Sequence, residues 1–68
     1  MNKHSLTLSG HRTSVSLEPE FWRAFRALAD KRGVPLNELA RQIDATRTPS
    51  VNLASAIRLE VLADLQKP

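Results

Sequence analysis

Residues 12–19 constrain the fold of this chain more than any other segment. Polar and apolar residues alternate along it, and a strand sends successive side chains to opposite faces. Val15 and Leu17 therefore point toward one face, which needs a core. The other face carries a guanidinium and two hydroxyls, from Arg12, Ser14 and Ser16. The segment stops at a proline, which suits the first position of a helix because its missing N–H would be unpaired there anyway.

The length of the chain predicts one small domain that needs further stabilisation. A chain of 68 residues buries only about 60% of its unfolded surface. The usual remedies are disulfides, metals or oligomerisation, and the chain has no cysteine. Self-association is then the leading remedy, and we expect a homodimer in which residues 1–68 of each chain form a single domain.

Charge and hydropathy narrow the functional classes. The 10 Lys and Arg residues exceed the 7 Asp and Glu residues, which leaves a net charge of +3. This moderate basic bias permits nucleic-acid binding. No apolar run approaches the roughly 20 residues of a membrane span, and the N-terminus lacks the apolar stretch of a signal peptide. We expect a cytoplasmic protein that makes no contact with a membrane.

Catalysis and metal binding receive little support from the residue types. No Ser-His-acid order, phosphate-binding loop or pair of carboxylates stands out, so we do not expect an enzyme. A domain of this size also has little room for a pocket of roughly 300 Å³ or more. His4 and His11 have no cysteine and no nearby carboxylate, whereas a metal site wants about three or four ligands. We therefore expect no metal and no cofactor.

Two interpretations of residues 1–11 stay open. Residues 5–8 alternate like a strand, and Ser9-Gly10 follows them as a turn signal. In one interpretation the turn folds this segment into a hairpin with the next one. In the other, residues 1–11 form a loose arm and only residues 12–18 form a firm strand. The only side-chain charges in these two segments before Glu18 are positive, so this part of the chain is basic.

Helical periodicity predicts three helices, over residues 19–32, 35–46 and 53–66. Apolar residues recur three and four positions apart in the first two helices and form one stripe on each. The stripes consist of Phe21, Trp22, Phe25, Leu28 and Ala29 in the first helix, and of Leu36, Leu39, Ala40 and Ile43 in the second. Gly33 is the expected end of the first helix, and Asn52 is a good N-cap for the third.

The third helix carries more apolar residues than one face can hold. Its apolar positions wrap around most of the helix, which is typical of a helix that is buried on most sides. In so small a chain we expect a partner subunit to cover it. Arg58 lies among these residues and needs an acceptor, for which Glu60 or Asp64 of the partner subunit are candidates.

Two motifs carry a resemblance to a known family. The strand-like segment 12–19 opens a helix, and residues 33–39, Gly-Val-Pro-Leu-Asn-Glu-Leu, form a glycine-containing turn into a second helix. This order resembles the ribbon-helix-helix (Arc/MetJ-like) class of bacterial DNA-binding proteins over about residues 12–47. Residues 11–22 with residues 52–58 resemble more narrowly a subfamily of small bacterial proteins that have an extra C-terminal helix.

The resemblance implies a mostly α fold with a short N-terminal β element. It implies a homodimer in which two chains pair their strands into an intersubunit antiparallel β-ribbon, with a third helix added. The ribbon would lie in the DNA major groove, which admits two strands, and the second helix would point its N-terminus at a phosphate. Pro35 stands where a Ser or Thr often caps this helix in the class, so one hydroxyl contact to phosphate is lost.

On this view the functional residues fall into three groups. The base-contacting residues are Arg12, Ser14 and Ser16. The phosphate-contacting residues are Leu36 and Asn37, at the start of the second helix, together with Lys3 and His11. The dimer core consists of Val15, Leu17, Phe21, Trp22, Phe25, Leu28, Leu39, Ile43, Ile57 and Val61.

We therefore expect a transcriptional repressor or autoregulator whose partners are a second copy of itself and double-stranded DNA. Two alternatives stay open. In the first, the third helix docks a second protein, as an antitoxin docks its toxin. In the second, the protein is a structural dimer whose own N-terminal strand flanks the ribbon. Four strands would enter a groove about 12 Å wide less easily than two, so the ribbon would not bind DNA.

Overall fold

The computed structural model describes all 68 residues of the chain. Two strands, β1 (Asn2–Leu8) and β2 (His11–Leu17), precede three helices. The helices are α1 (Pro19–Arg32), α2 (Leu36–Thr46) and α3 (Leu53–Leu65). The predicted fold class, a mostly α chain with a short N-terminal β element, is confirmed.

The two strands form an antiparallel hairpin within one chain. Ser9 and Gly10 connect them with φ angles of 51° and 83°, and two positive φ values are what the tight two-residue turns of hairpins require. The structure thus decides between the two interpretations of residues 1–11 in favour of the hairpin. The pairing of strands between two subunits concerns a second chain and stays a prediction.

Local sequence signals set both ends of α1 and the start of α3. Pro19 occupies the first turn of α1, and Gly33 ends this helix in the left-handed conformation with φ 70°. The N–H groups of Gly33 and Val34 donate to the carbonyls of Asp30 and Ala29, which closes the last turn. The Asn52 side chain accepts a hydrogen bond of 2.8 Å from the Ser55 N–H and caps α3, as the sequence predicts.

One apolar core lies between the inner face of the hairpin and the three helices. Thirteen buried residues form it: Leu6, Leu8, Val15, Leu17, Phe25, Leu28, Ala29, Leu39, Ala40, Ile43, Ala56, Ile57 and Val61. Eight of the ten residues predicted for a dimer core are therefore buried within a single chain. Phe21 and Trp22 are half-buried against the same core. The part that these residues play in a dimer stays a prediction.

Candidate nucleic-acid interface

The outer face of the hairpin consists of polar side chains only. The strand register pairs Lys3 with Ser16, Ser5 with Ser14, and Thr7 with Arg12. Directly paired residues point to the same face of a sheet, so these six side chains share the face opposite the core. All six are exposed, and no other part of the chain covers them. We call this surface the outer face of the hairpin.

Charge accumulates on the outer face because acidic residues are absent from both strands. Elsewhere in the chain, five ion pairs join a basic and an acidic side chain. They leave five of the ten basic residues unpaired, among them Lys3 and Arg12 at opposite ends of the outer face. The two residues stand four positions apart along the ribbon, which corresponds to about 14 Å.

A side chain from α2 covers part of the free edge of β1. The Asn37 side-chain oxygen accepts a hydrogen bond of 3.2 Å from the Thr7 N–H. The predicted phosphate residue Asn37 therefore also anchors the start of α2 to the hairpin. Leu36 is the first residue of this helix, and Pro35 before it gives no side-chain cap. The first N–H groups of α2 have no capping partner, and such groups favour anions.

A side chain from α3 covers part of the free edge of β2. The Arg58 guanidinium donates to the Glu18 carboxylate at 3.0 Å and to the Ser16 carbonyl at 3.4 Å. It also lies 5.8 Å from the centre of the Phe21 ring. A backbone hydrogen bond at Glu18 and the bond from Arg58 together hold the pKa of this carboxyl below its usual range.

Arg58 finds an acceptor within its own chain, and the candidates Glu60 and Asp64, predicted in a partner subunit, each have another basic partner within the chain. Glu60 accepts from Arg32 at 2.9 Å, and Asp64 accepts from Lys31 at 3.0 Å. These two ion pairs tie α3 to the end of α1. Arg58 instead reaches back across the fold to Glu18, which lies just before α1.

An open groove of about 830 Å³ runs between β2 and the segment that joins α2 to α3. It exceeds the space that the chain length predicts, because a surface groove needs no surrounding core. Arg41 and Arg47 line it, and each is paired with an acid three residues earlier in the chain. The hydrogen bonds from Arg41 and Gln42 lower the pKa of Glu38 to about 2.

The two histidines lie in different surroundings. His11 is exposed beside the hairpin turn and lines the groove, so it is open to an anion. The His4 ring stacks on Trp22 with 3.7 Å between the ring centres, and its Nε2 is buried without a hydrogen-bond partner. His4 therefore belongs to the packing of β1 on α1. No group of three or more His, Cys, Asp or Glu side chains lies close enough to hold a metal ion.

Sequence reasoning missed two residues of the outer face, Ser5 and Thr7. The alternation of residues 5–8 is the signal that could have found them, because it places Ser5 and Thr7 on the polar side of a strand. The edge contact of Arg58 was also missed. No local sequence pattern predicts the contact between Arg58 and the Ser16 carbonyl, because the two residues are far apart in the chain.

A second uncovered surface lies on α3. Leu59, Leu62 and Leu65 are 58%, 48% and 73% exposed and lie three positions apart on one side of the helix. We call this surface the leucine face of α3. None of the helices is both long enough and apolar enough to span a membrane.

Comparison with known proteins now identifies the family. The chain matches the family model of the ribbon-helix-helix domain over residues 1–65. It therefore belongs to the ribbon-helix-helix family, and the resemblance is confirmed. In general, proteins of this family regulate transcription by binding DNA, form dimers and have no enzymatic activity. Searches of the curated proteins and of the solved structures each found no match.

Proposed function

We propose that this protein is a homodimeric transcriptional repressor or autoregulator that binds double-stranded DNA through the outer face of the hairpin. The observation that carries the proposal is the chemistry of this face. It is acid-free, uncovered and two strands wide. Two strands are the width of β-ribbon that the major groove admits.

The side chains of β2 suit base edges. Arg12 can donate two hydrogen bonds to O6 and N7 of a guanine, which is the commonest specific contact to DNA. Ser14 and Ser16 carry hydroxyls that both donate and accept, so they fit several bases. Arg12 is therefore the residue that contributes most to sequence discrimination.

Phosphate contacts would fix the position of the ribbon on the duplex. The uncapped N–H groups at Leu36 and Asn37 suit a phosphate at the start of α2. Lys3 and His11 supply further donors near opposite ends of the hairpin. The family association with DNA and the net charge of +3 support these assignments.

The leucine face of α3 supports self-association. Water contact with three large apolar side chains on one helix is unfavourable, and a second copy of the same helix would remove it. Ribbon-helix-helix domains generally dimerise. The proposal also places the protein in the bacterial cytoplasm, where the DNA of a bacterial regulator lies, and it requires no cofactor.

Selection of bound duplexes from a random library tests this function. We expect an enriched sequence, and we expect Arg12→Ala to lose about 1–3 kcal/mol of discrimination at one guanine. Lys67→Ala is the matched control, because it removes an unpaired positive charge away from the hairpin. A variant Arg12→Ala with an unchanged sequence preference would refute the assigned role.

A salt titration separates phosphate binding from other contacts. Affinity that depends on displaced counterions falls linearly with the logarithm of salt concentration. We expect a steep fall for the enriched duplex. An affinity that stays flat across the titration contradicts the phosphate contacts.

The pairing of β1 with β2 favours a second function, that of a structural dimer or protein-interaction module whose ribbon face does not bind DNA. If two hairpins joined through their β2 edges, the four strands would span about 14 Å between the outer strand axes, more than the groove width of about 12 Å. In that dimer the outer face would not enter DNA, and the leucine face of α3 would hold a protein partner instead. Absence of any enriched duplex, together with poor solubility of the isolated chain, would favour this function.

A further inference from the structure

The flanking elements β1 and α3 complete the core within one chain. Residues 12–47, which carry the resemblance to the ribbon-helix-helix class, supply eight of the thirteen buried residues. The other five come from the elements before and after that segment: Leu6 and Leu8 of β1, and Ala56, Ile57 and Val61 of α3. More than a third of the core therefore lies outside the strand and the two helices on which the resemblance rests.

Helix α3 lies against every element of residues 12–47. It contacts β2, α1 and α2, and its Ile57 side chain is fully buried. Elements of secondary structure form a stable core only when their apolar faces cover one another. One strand and two helices alone would leave part of the apolar stripes of α1 and α2 exposed. Helix α3 supplies, within the chain, the cover that a second subunit would otherwise have to give.

Polar contacts within the chain hold α3 in this position. Glu60 and Asp64 pair with basic residues in the last turn of α1. Arg58 pairs with Glu18, just before the start of the same helix. The Asn52 side chain caps the first turn of α3. These contacts join α3 to both ends of α1, so its position does not depend on a second chain.

Little apolar surface remains for a second chain to cover. The large apolar side chains that stay exposed are Met1 and the three residues of the leucine face of α3. The edge of β2, where the family resemblance places the strand of the partner subunit, offers backbone N–H and C=O groups. Both surfaces can join two chains that are already folded. Neither has to be buried before a single chain can form its core.

We propose that the chain folds as a monomer and that dimerisation is a separate, reversible step that switches DNA binding on. The switch rests on the proposed function, because only the dimer presents two copies of the outer face of the hairpin to one duplex. While the monomer predominates, the concentration of the dimer rises with the square of the chain concentration. DNA binding therefore responds steeply to the amount of protein, which suits a regulator that controls its own level.

Urea unfolding of the full chain over a range of concentrations tests the folding step. Trp22 is the only tryptophan and is half-buried against the core, so its fluorescence reports unfolding. Sedimentation velocity on the same samples shows which of them are monomeric. In the monomeric samples we expect one cooperative transition, with a midpoint that further dilution leaves unchanged.

Folding that required dimerisation would give a different series. The midpoint would then fall at each dilution, by about 1 M of urea for about a 100-fold change in concentration, and no folded monomer would appear. That result overturns the inference. A protein that stays dimeric in the most dilute samples, or monomeric in the most concentrated ones, overturns the reversible switch.

Two substitutions in α3 separate folding from association. Ile57→Val removes one methyl group from the core, and such a change lowers stability without abolishing the fold. We expect it to lower the urea midpoint of the monomer and to leave the dissociation constant of the dimer unchanged. Leu65→Gln alters a side chain that is 73% exposed and should leave the midpoint of the monomer nearly unchanged. An equal fall in both variants would mean that the leucine face takes part in folding, which contradicts the inference.

Titration of the enriched duplex tests the switch itself. Where the free protein is monomeric, we expect the bound fraction to rise with the square of the protein concentration. A bound fraction that follows the first power of the concentration overturns the switch and leaves the DNA-binding function standing. If no duplex is enriched, the proposed function and the switch both fail, and the urea series still decides whether the monomer folds.

Discussion

The outer face of the hairpin and the leucine face of α3 are both uncovered, and their chemistry is opposite. The hairpin exposes only polar side chains and keeps its apolar ones in the core. Helix α3 exposes three leucines although it also contributes Ala56, Ile57 and Val61 to the core. Contact with water is favourable for the polar side chains of the hairpin and unfavourable for the leucines of α3. The hairpin is therefore suited to a charged ligand, and α3 to an apolar partner.

The difference follows from the geometry of the two elements. A strand has two faces, so alternation keeps all of the apolar side chains of the two strands on the inner one. A helix has a continuous circumference, and α3 packs against α1 and α2 on only part of it. The ion pairs Lys31–Asp64 and Arg32–Glu60 flank this contact with α1. The remaining leucines stay exposed to water in the single chain, and we propose that a second copy of the chain covers them.

The largest expected effect concerns the leucine face. Leu62 is about half exposed, so Leu62→Gln changes the folding of one chain little. In a symmetric dimer the change removes two copies of its exposed half from the interface, about 1.5–3 kcal/mol in total. We expect the dissociation constant of the dimer, measured by sedimentation equilibrium, to rise about 10- to 150-fold.

The control for this change is Glu20→Gln, which puts the same side chain on an exposed position in the first turn of α1. It should leave the association constant unchanged. Equal association of the wild type and Leu62→Gln would remove the leucine face from the dimer. The contrast between a hairpin that binds DNA and a leucine face that binds a partner subunit would then fail on the side of the leucine face.

A smaller effect concerns the start of α3. The Asn52 side chain accepts from the Ser55 N–H, and replacing such a cap by alanine costs about 0.5–2 kcal/mol of unfolding free energy. We expect Asn52→Ala to lower the midpoint of urea unfolding, with Ser50→Ala as the neighbouring control. An unchanged midpoint would mean that α3 does not need its cap to hold the leucine face in place.

The smallest expected effect concerns the ion pair between Glu38 and Arg41, which lies beside the groove next to β2. Because the pKa of Glu38 is about 2 in the folded chain against its ordinary 4.5, its ion pair contributes stability above pH 4.5 that is lost as the pH falls toward 2. The pair is exposed, so solvent keeps the effect small. Glu38→Gln should therefore show a slightly weaker fall in melting temperature across this range. Identical pH profiles for the two proteins contradict the contribution of this pair.

Much of the fold could be predicted because its signals are local. The alternation around Val15, the helix start at Pro19, the stop at Gly33 and the cap at Asn52 each depend on a few neighbouring residues. The structure shows all four as the sequence predicts. The sequence alone did not decide between a hairpin and a loose arm, because Ser9 gives only a weak turn signal. Ser9 must adopt a positive φ, which non-glycine residues rarely take.

The contacts at the edges of the ribbon could not be predicted, because they join residues that are far apart in the chain. Asn37 meets Thr7 across thirty positions, and Arg58 meets Glu18 across forty. The sequence gives the donors and acceptors without saying which of them meet. Glu60 and Asp64 seemed suitable for Arg58 by charge, but α1 brings Arg32 and Lys31 closer to them.

The most direct test of the account is to map, by NMR, which amide signals shift when the enriched duplex is added to the protein. The account predicts that the shifts concentrate on the outer face of the hairpin, at Lys3, Ser5, Thr7, Arg12, Ser14 and Ser16. The signals of residues 59–65 should stay in place. Shifts confined to α3, with the hairpin unchanged, would contradict the central claim that the hairpin is the surface that meets DNA.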